Sequence, residues 1–211
     1  MENLKKQIAE LLNLYNSKNL IKAEELNKKL INNYPRIAYL YNLQGLILSG
    51  QNRYNEAITS YKKGIRLDPK AAWICNNLGS TLHSIGYFKE AEHFFKKSII
   101  LDKKMPESEN NLGNLNLALN KYRKAITCFK NAVNINPKFY ASHYNLGLSY
   151  KRLGMFKEAK DHLIKATKLN PDLYSAHRTL SQITKYKLNN DHFNLLKKIY
   201  KDPKIKANGK A

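Results

Sequence analysis

The chain has 211 residues, of which 43% are apolar and 25% charged, a composition typical of a folded globular protein. Its 37 Lys and Arg residues against 16 Asp and Glu residues give a formal net charge of +21. No stretch reaches the roughly 18 apolar residues of a membrane-spanning helix, and the first residues lack the apolar core of a secretory signal. We therefore expect a cytoplasmic protein with no membrane contact, whose thiols, Cys75 and Cys128, are reduced and packed.

Several residue types recur every 34 positions along the chain. The recurring residues are Gly45, Gly79, Gly113 and Gly147; Ala23, Ala57, Ala91, Ala125 and Ala159; Pro35, Pro69, Pro137 and Pro171; and an aromatic residue at 54, 88, 122 and 156. This frame predicts four full units, 38–71, 72–105, 106–139 and 140–173. A degenerate unit, 4–37, precedes them and matches the frame only in its second half.

Each unit reads as two antiparallel amphipathic helices. In unit 72–105, Ile74, Leu78 and Leu82 recur every four residues, which is the spacing of one helix face. Gly79 and Ala91 are small where the two helices of this unit are expected to approach most closely. The prolines mark helix ends. Because one pair cannot bury its apolar face alone, neighbouring pairs are expected to stack into an all-α solenoid with a concave inner surface.

The pattern changes after Pro171. Residues 174–187 keep the first-helix pattern through Leu180, and we expect this helix to be the last of the repeat array. Asp191 then reads as the cap of a helix over 191–201, which we interpret as a capping helix. The predicted solenoid therefore spans 1–201, and residues 202–211 are expected to be a flexible tail.

Unit 140–173 is similar to the tetratricopeptide repeat (TPR). The residues that carry the resemblance are Leu146, Gly147, Tyr150, Gly154, Phe156, Ala159, Ala166 and Pro171. The resemblance implies a right-handed α-solenoid of TPR helix pairs and a non-catalytic protein–protein interaction scaffold. It also implies that the first helices line a concave groove, which would bind an extended peptide or a partner protein.

Asparagines are concentrated at the positions that line the groove of a TPR protein. Asn77, Asn111 and Asn145 share one position, Asn42, Asn76 and Asn110 share the preceding one, and Trp73 and His83 flank the column. An amide offers a donor and an acceptor, so this column can pair with a peptide backbone of any sequence. It resembles the asparagine ladder of O-GlcNAc transferase TPRs through the NLG segments at 77–79, 111–113 and 145–147. The alternative is a solvated helix face, and Trp73 either anchors a ligand side chain or packs on the adjoining helix.

The whole layout resembles the TPR portion and connector of bacterial TPR-containing sulfotransferases. The segments that carry this resemblance are AEELNKKLINNYP, LYNLQGLILSGQNRYNEAITSYKKGIRLDP, SAHRTLSQITKY and DHFNLLKKIYKDP. It implies an alternative function, the substrate-recognition segment of a sulfotransferase or glycosyltransferase type of enzyme whose catalytic domain is absent from this chain. The sequence has none of the phosphate-loop, HExxH or GxSxG motifs, so we expect no catalysis and no cofactor.

Two further features have structural interpretations. One frame position holds metal-ligand residue types in successive repeats, namely Cys75, Glu109, His143 and His177. Packed helices lie about 8–10 Å apart, so four side chains that each come from a different repeat are too far apart to surround one ion. We therefore expect packing residues and no metal, with a site shared by His143 and His177 alone as the alternative. The lysine pairs on second helices, at 62/63, 96/97 and 165/168, read as a solvated convex face, with weak, nonspecific polyanion binding as the alternative.

Overall fold

In the computed structural model, which describes residues 2–184 and residue 194, every regular element of the described part is an α-helix. Residues 2–184 contain eleven helices: α1 Glu2–Asn16, α2 Leu20–Asn33, α3 Ala38–Gly50, α4 Tyr54–Leu67, α5 Ala72–Ser84, α6 Phe88–Leu101, α7 Pro106–Ala118, α8 Tyr122–Ile135, α9 Tyr140–Arg152, α10 Phe156–Leu169 and α11 Tyr174–Ile183. Consecutive helices pack in pairs, α3 with α4, α5 with α6, α7 with α8 and α9 with α10. The predicted all-α class, a solenoid of such helix pairs, is confirmed.

Small residues face large ones inside each pair. A methyl group added at Gly79 would lie 2.8 Å from two ring carbons of Phe95, which is fully buried. Added atoms at Gly45, Gly113 and Gly147 would approach Tyr61, Phe129 and Leu163 in the same way. The structure thus supports the inference that the recurring glycine lies at the closest approach of the two helices.

The degenerate unit forms a complete pair, α1 and α2, although its first half lacks the frame residues. Leu11 stands at the frame position of the glycines, and Asn27 stands at the position of Tyr61 and Phe95, and both are fully buried. Leu11 belongs to a core cluster with Leu30 and Leu40, and Nδ2 of Asn27 donates to the backbone oxygen of Leu40 at 3.0 Å. A search for the frame residues alone does not detect these contacts.

The turns inside the pairs share one backbone conformation. Residues with positive φ occur at equivalent positions, namely Lys18, Asn52, Gly86, Asn120 and Gly154. Where the turn residue is asparagine, the next helix begins with tyrosine, and its hydroxyl donates to the asparagine Oδ1 over 2.7 Å, as in Tyr54 to Asn52. Where the turn residue is glycine, the helix begins with phenylalanine.

The second helices end before the prolines, as the sequence predicts: α4 ends at Leu67, and Pro69 follows two residues later. A second device contributes, because the Oδ1 atom of Asp68 accepts a hydrogen bond from the backbone N–H of Lys70 at 3.1 Å. The same turn at Asp102 and Lys104, 2.8 Å, ends α6 even though Lys103 replaces the proline.

The chain divides into two compact units, 1–137 and 138–211. In the first unit, one core cluster centres on Tyr61, Ile74 and Phe95, and another on Leu11, Leu30 and Leu40. In the second unit, Leu163, Ala166, Ala176 and Leu180 form the core between α10 and α11. The predicted capping helix, 191–201, the tail, 202–211, and the predicted end of the last first-helix, 185–187, lie outside the described residues apart from residue 194.

Candidate functional site

The first helices of the first unit lie side by side. α3 contacts α5, and α5 contacts α7, whereas second helices of neighbouring pairs approach each other less closely. The unit therefore curves toward its first helices, and we call the surface of α3, α5 and α7 on this side the inner face. Five of the six asparagines singled out in the sequence belong to these three helices, namely Asn42, Asn76, Asn77, Asn110 and Asn111.

The asparagines of neighbouring first helices bond to each other across the inner face. The Nδ2 group of Asn77 on α5 donates to Oδ1 of Asn42 on α3 at 2.8 Å. In the next step, Nδ2 of Asn111 on α7 donates to Oδ1 of Asn76 on α5 at 3.0 Å. Asn111 also donates to Oγ of Ser80 at 3.3 Å. Each bond between asparagines therefore joins the two columns across neighbouring first helices, with the later repeat donating and the earlier repeat accepting.

These bonds fix which atoms remain available on the inner face. In Asn77 and Asn111, the carbonyl Oδ1 atoms make no hydrogen bond within the described part of the chain. In Asn42 and Asn76, the bonds use Oδ1, which leaves the Nδ2 groups as the remaining donors.

The asparagines are less exposed than the sequence suggests. On a solvated helix face these side chains would be exposed, but Asn77 and Asn111 are half-buried, and Asn42, Asn76 and Asn110 are buried with 3%, 6% and 7% exposed. Asn42, Asn76, Asn77 and Asn111 each bond to an asparagine of the neighbouring first helix, which brings their amides into the contact between the helices. Asn145 is half-buried on α9 of the second unit. A role of these residues in ligand binding stays a prediction.

Trp73 and His83 lie on α5 at its two ends. The Trp73 ring is half-buried against the core and meets the edge of Tyr39 at a centroid distance of 5.6 Å. Packing on the adjoining helix, one of the two interpretations of Trp73, is thus part of its role. The ring of His83 lies 5.8 Å from that of Phe88, and burial lowers the pKa of His83, so its neutral form is favoured near pH 7.

A cavity of about 300 Å³ opens beside Asn77. Its lining is rich in uncharged hydroxyl groups, including those of Ser49, Ser80, Thr81 and Tyr61. The Ser49 and Thr81 hydroxyls lie 3.0 Å apart, and both hydrogen-bond to Tyr61. Burial raises the pKa of Tyr61 to about 12, against the lowering effect of these two hydrogen bonds, so the cavity holds neutral hydrogen-bonding groups.

Charge is distributed unevenly between the two kinds of helix. α3 and α5 contain no Lys, Arg, Asp or Glu, although the chain carries a net charge of +21. α4 and α6, which follow them, contain three lysines or arginines each, with one and two glutamates. The inner face at α3 and α5 is therefore polar and neutral, whereas the second helices carry the cations.

The residues of the potential metal column are packed in the helix pairs. Cys75 is fully buried, His143 and His177 are nearly so, and Glu109 accepts a 3.1 Å hydrogen bond from Asn131. Burial raises the pKa of Cys75 and of Glu109, and it raises that of Cys128 to about 11, so both thiols are protonated and unreactive at neutral pH. Within the described residues, no three His, Cys, Asp or Glu side chains converge on a common point.

Sequence reasoning missed Tyr39 and the hydroxyl groups that other helices contribute to the cavity. Ser80 and Ser84, in contrast, stand at positions that a TPR protein uses to line its groove, because they follow Asn77 on the same helix face. The hydroxyl-bearing residues of the cavity come from α1, α3, α4 and α5, and Tyr61 stands where other repeats have phenylalanine or leucine. No local spacing indicates that four such elements converge.

Family comparisons agree with the repeat frame. The family model described as TPR repeat matches residues 45–86 and 113–154, and those described as tetratricopeptide repeat match 74–105 and 140–173. Together the matches cover more than half of the chain, which belongs to the tetratricopeptide repeat family. TPR repeats are generally non-catalytic scaffolds, and this chain belongs to the class of protein-interaction modules. None of the curated proteins compared with the chain matches it.

Solved structures with similar folds are TPR proteins of low sequence identity. MamA is 23% identical with a TM-score of 0.64, and the alignment covers 77% of this chain and 95% of MamA. YrrB, whose structure is described as a TPR protein with an unusual peptide-binding site, is 20% identical with a TM-score of 0.61 and coverage of 83% and 90%. A chain of the APC/C hetero-tetramer Cut9–Hcn1 is 20% identical with a TM-score of 0.75. The alignment covers 85% of the present protein and 36% of that hetero-tetramer chain. Among the described residues, none of the helices is long and apolar enough to cross a membrane.

Proposed function

We propose that this protein is a non-catalytic cytoplasmic interaction module that holds an extended peptide of a partner protein on its inner face, chiefly through the peptide backbone. The observation that carries the proposal is the pair of asparagine–asparagine hydrogen bonds that join α3 to α5 and α5 to α7. They leave the Oδ1 atoms of the half-buried Asn77 and Asn111 as acceptors for the N–H groups of an extended peptide. The resemblance of YrrB, a TPR protein with a peptide-binding site, supports the same function.

The charge distribution supports a neutral ligand surface over a polyanion site. Nucleic-acid backbones are bound through Lys and Arg, which α3 and α5 lack. The cavity beside Asn77 offers hydroxyl and amide groups, which suit an uncharged polar side chain of the bound peptide. Backbone recognition then supplies most of the affinity, and the cavity supplies a preference at one peptide position.

The test uses peptides selected for binding from a random library. For one selected peptide, we expect single alanine substitutions to weaken binding by less than about threefold at most positions. N-methylation of backbone amides that face Asn77 and Asn111 removes a donor each, and is expected to weaken binding about tenfold, since a net hydrogen bond contributes about 0.5–1.5 kcal/mol. Isothermal titration calorimetry measures both series.

A protein variant with Asn77→Ala and Asn111→Ala is expected to lose at least tenfold in affinity for the same peptide. The control is Asn55→Ala with Asn134→Ala, because both of these asparagines are exposed on second helices. Circular dichroism establishes a temperature at which all three proteins are folded. Tight binding that tolerates every N-methylation, or an equal loss in the control variant, would contradict the proposal.

A further inference from the structure

A second groove lies on the opposite side of the first unit, between the second helices α4 and α6. Its volume is about 350 Å³, and its lining consists of Lys62, Ile65, Arg66, His93, Phe94 and Lys97. Ile65 and Phe94 form an apolar floor that is continuous with the core of the unit. We call this site the basic groove, and none of its residues belongs to the inner face.

Among the described residues, the cations at its rim have no anionic partner. Lys62 and Arg66 are exposed on the α4 wall, and Lys97 is half-buried on the α6 wall. Within the described part of the chain, none of these three forms an ion pair or a hydrogen bond, whereas Lys96, next to the groove, is paired with Glu92 at 2.6 Å. No carboxylate lines the groove, so it presents unpaired positive charge around an apolar surface.

The charge of the chain argues against its own segments as the occupant. Residues 185–211 contain eight lysines and two aspartates, so this segment is repelled by the groove. A second copy carries the same net charge of +21, which opposes association through a basic surface. The charge complement is therefore an acidic segment of another molecule.

The apolar floor distinguishes between acidic ligands. A nucleic-acid backbone satisfies the rim cations but offers no aliphatic group to cover Ile65. A peptide that combines carboxylates with leucine or phenylalanine satisfies both, because its apolar side chain covers the floor while its carboxylates meet Lys62, Arg66 and Lys97. We propose that the basic groove between α4 and α6 binds an acidic, leucine- or phenylalanine-containing peptide segment of a partner protein, as a second site independent of the inner face.

The experiment measures fluorescence anisotropy with a short labelled peptide of alternating glutamate and leucine, using the full chain. The test variant is Lys62→Glu with Lys97→Glu, which reverses charge on both walls. The matched control is Lys22→Glu with Lys29→Glu, because these lysines are exposed on α2 and the change in net charge is the same. All of the changed side chains are outside the core clusters, and thermal melts verify that each variant folds as the parent does.

We expect the test variant to bind the peptide at least tenfold more weakly than the parent, and the control variant to stay within about threefold. A peptide with serine in place of leucine is expected to bind at least fivefold more weakly than the original. Equal losses in the two variants would show that net charge alone attracts the peptide and would overturn the proposal. Absence of binding, indifference to the leucines, or tighter binding of a single-stranded oligonucleotide of equal charge would overturn it too.

Discussion

The contact between Gly79 and Phe95 gives a sharp test of how the helix pairs are held together. In Gly79→Ala, the new methyl carbon would lie 2.8 Å from two ring carbons of Phe95 and 3.3 Å from a third. Because Phe95 is fully buried, its ring has little room to move, so the helices themselves must separate. Overpacking of this kind costs about 1–3 kcal/mol.

The substitution also has a favourable effect, which must be subtracted. Alanine is a better helix former than glycine by about 1 kcal/mol in a helix interior. The Phe95 ring is fully buried, so we expect the cost of crowding to lie in the upper part of the range of about 1–3 kcal/mol. After the gain in helix propensity is subtracted, the free energy of unfolding is expected to fall by about 1–2 kcal/mol. For a chain of this size, that corresponds to a decrease in Tm of about 2–8 °C.

Gly50→Ala is the matched control. The added methyl group would touch only the end of the Leu20 side chain, at 3.0 Å, and Gly50 is exposed at the end of α3. Leu20 can rotate away, so we expect an unchanged or slightly raised Tm. Thermal unfolding followed by circular dichroism measures both variants. Equal Tm values for Gly79→Ala, Gly50→Ala and the parent would refute the argument that a close glycine–aromatic contact determines the spacing of the pair.

Three further predictions concern single side chains of the first unit. Ala125→Leu inserts methyl groups at a fully buried position and is expected to destabilise the protein by about 1–3 kcal/mol in a thermal melt; an unchanged midpoint would contradict the packing of α7 on α8. Lys18→Asn is expected to raise stability by up to about 1 kcal/mol in urea denaturation, because Lys18 has a φ of 63°, a conformation that asparagine tolerates better; a lower midpoint would contradict this. Glu24 is buried, which acts to raise its pKa, but hydrogen bonds from Lys28, Arg53 and Gln51 lower that pKa below its usual value. The stabilising contribution of Glu24 is therefore present above the unfolded-state pKa of about 4.5 and is lost as the pH falls through the folded-state pKa. In Glu24→Gln, the free energy of unfolding is expected to fall less steeply on the acid side than in the parent. An equally steep fall in both proteins would contradict the ion-pair network.

The helix pairs could be predicted from the sequence because the residues that determine them lie close together in the chain and recur at one period. At 34-residue spacing, glycine and alanine mark the close contact of two helices, and proline marks a helix end. Few other residue types can replace them at these positions. Leu11 and Asn27 show where this reasoning stops. Both are fully buried at frame positions of the first pair, but neither residue type is a signal by itself.

The asparagine columns were visible in the sequence, but their bonding was not. Periodicity places Asn42 and Asn77 on neighbouring helices, whereas the 2.8 Å bond between them depends on how closely α3 and α5 pack. The cavity beside Asn77 and the basic groove also arise where separate helices meet, so no single segment encodes them. Burial of the asparagines follows from the same close packing of first helices.

The most direct test of backbone recognition on the inner face is an NMR titration with a selected, uncharged peptide. The side-chain amide signals of the asparagines report contact with the peptide at each position. Binding is predicted to shift the signals of Asn42, Asn76, Asn77 and Asn111, and to leave those of Asn55 and Asn134 on the second helices unchanged. Shifts confined to Asn55, Asn134 and their neighbours, with the inner-face asparagines unmoved, would contradict the account.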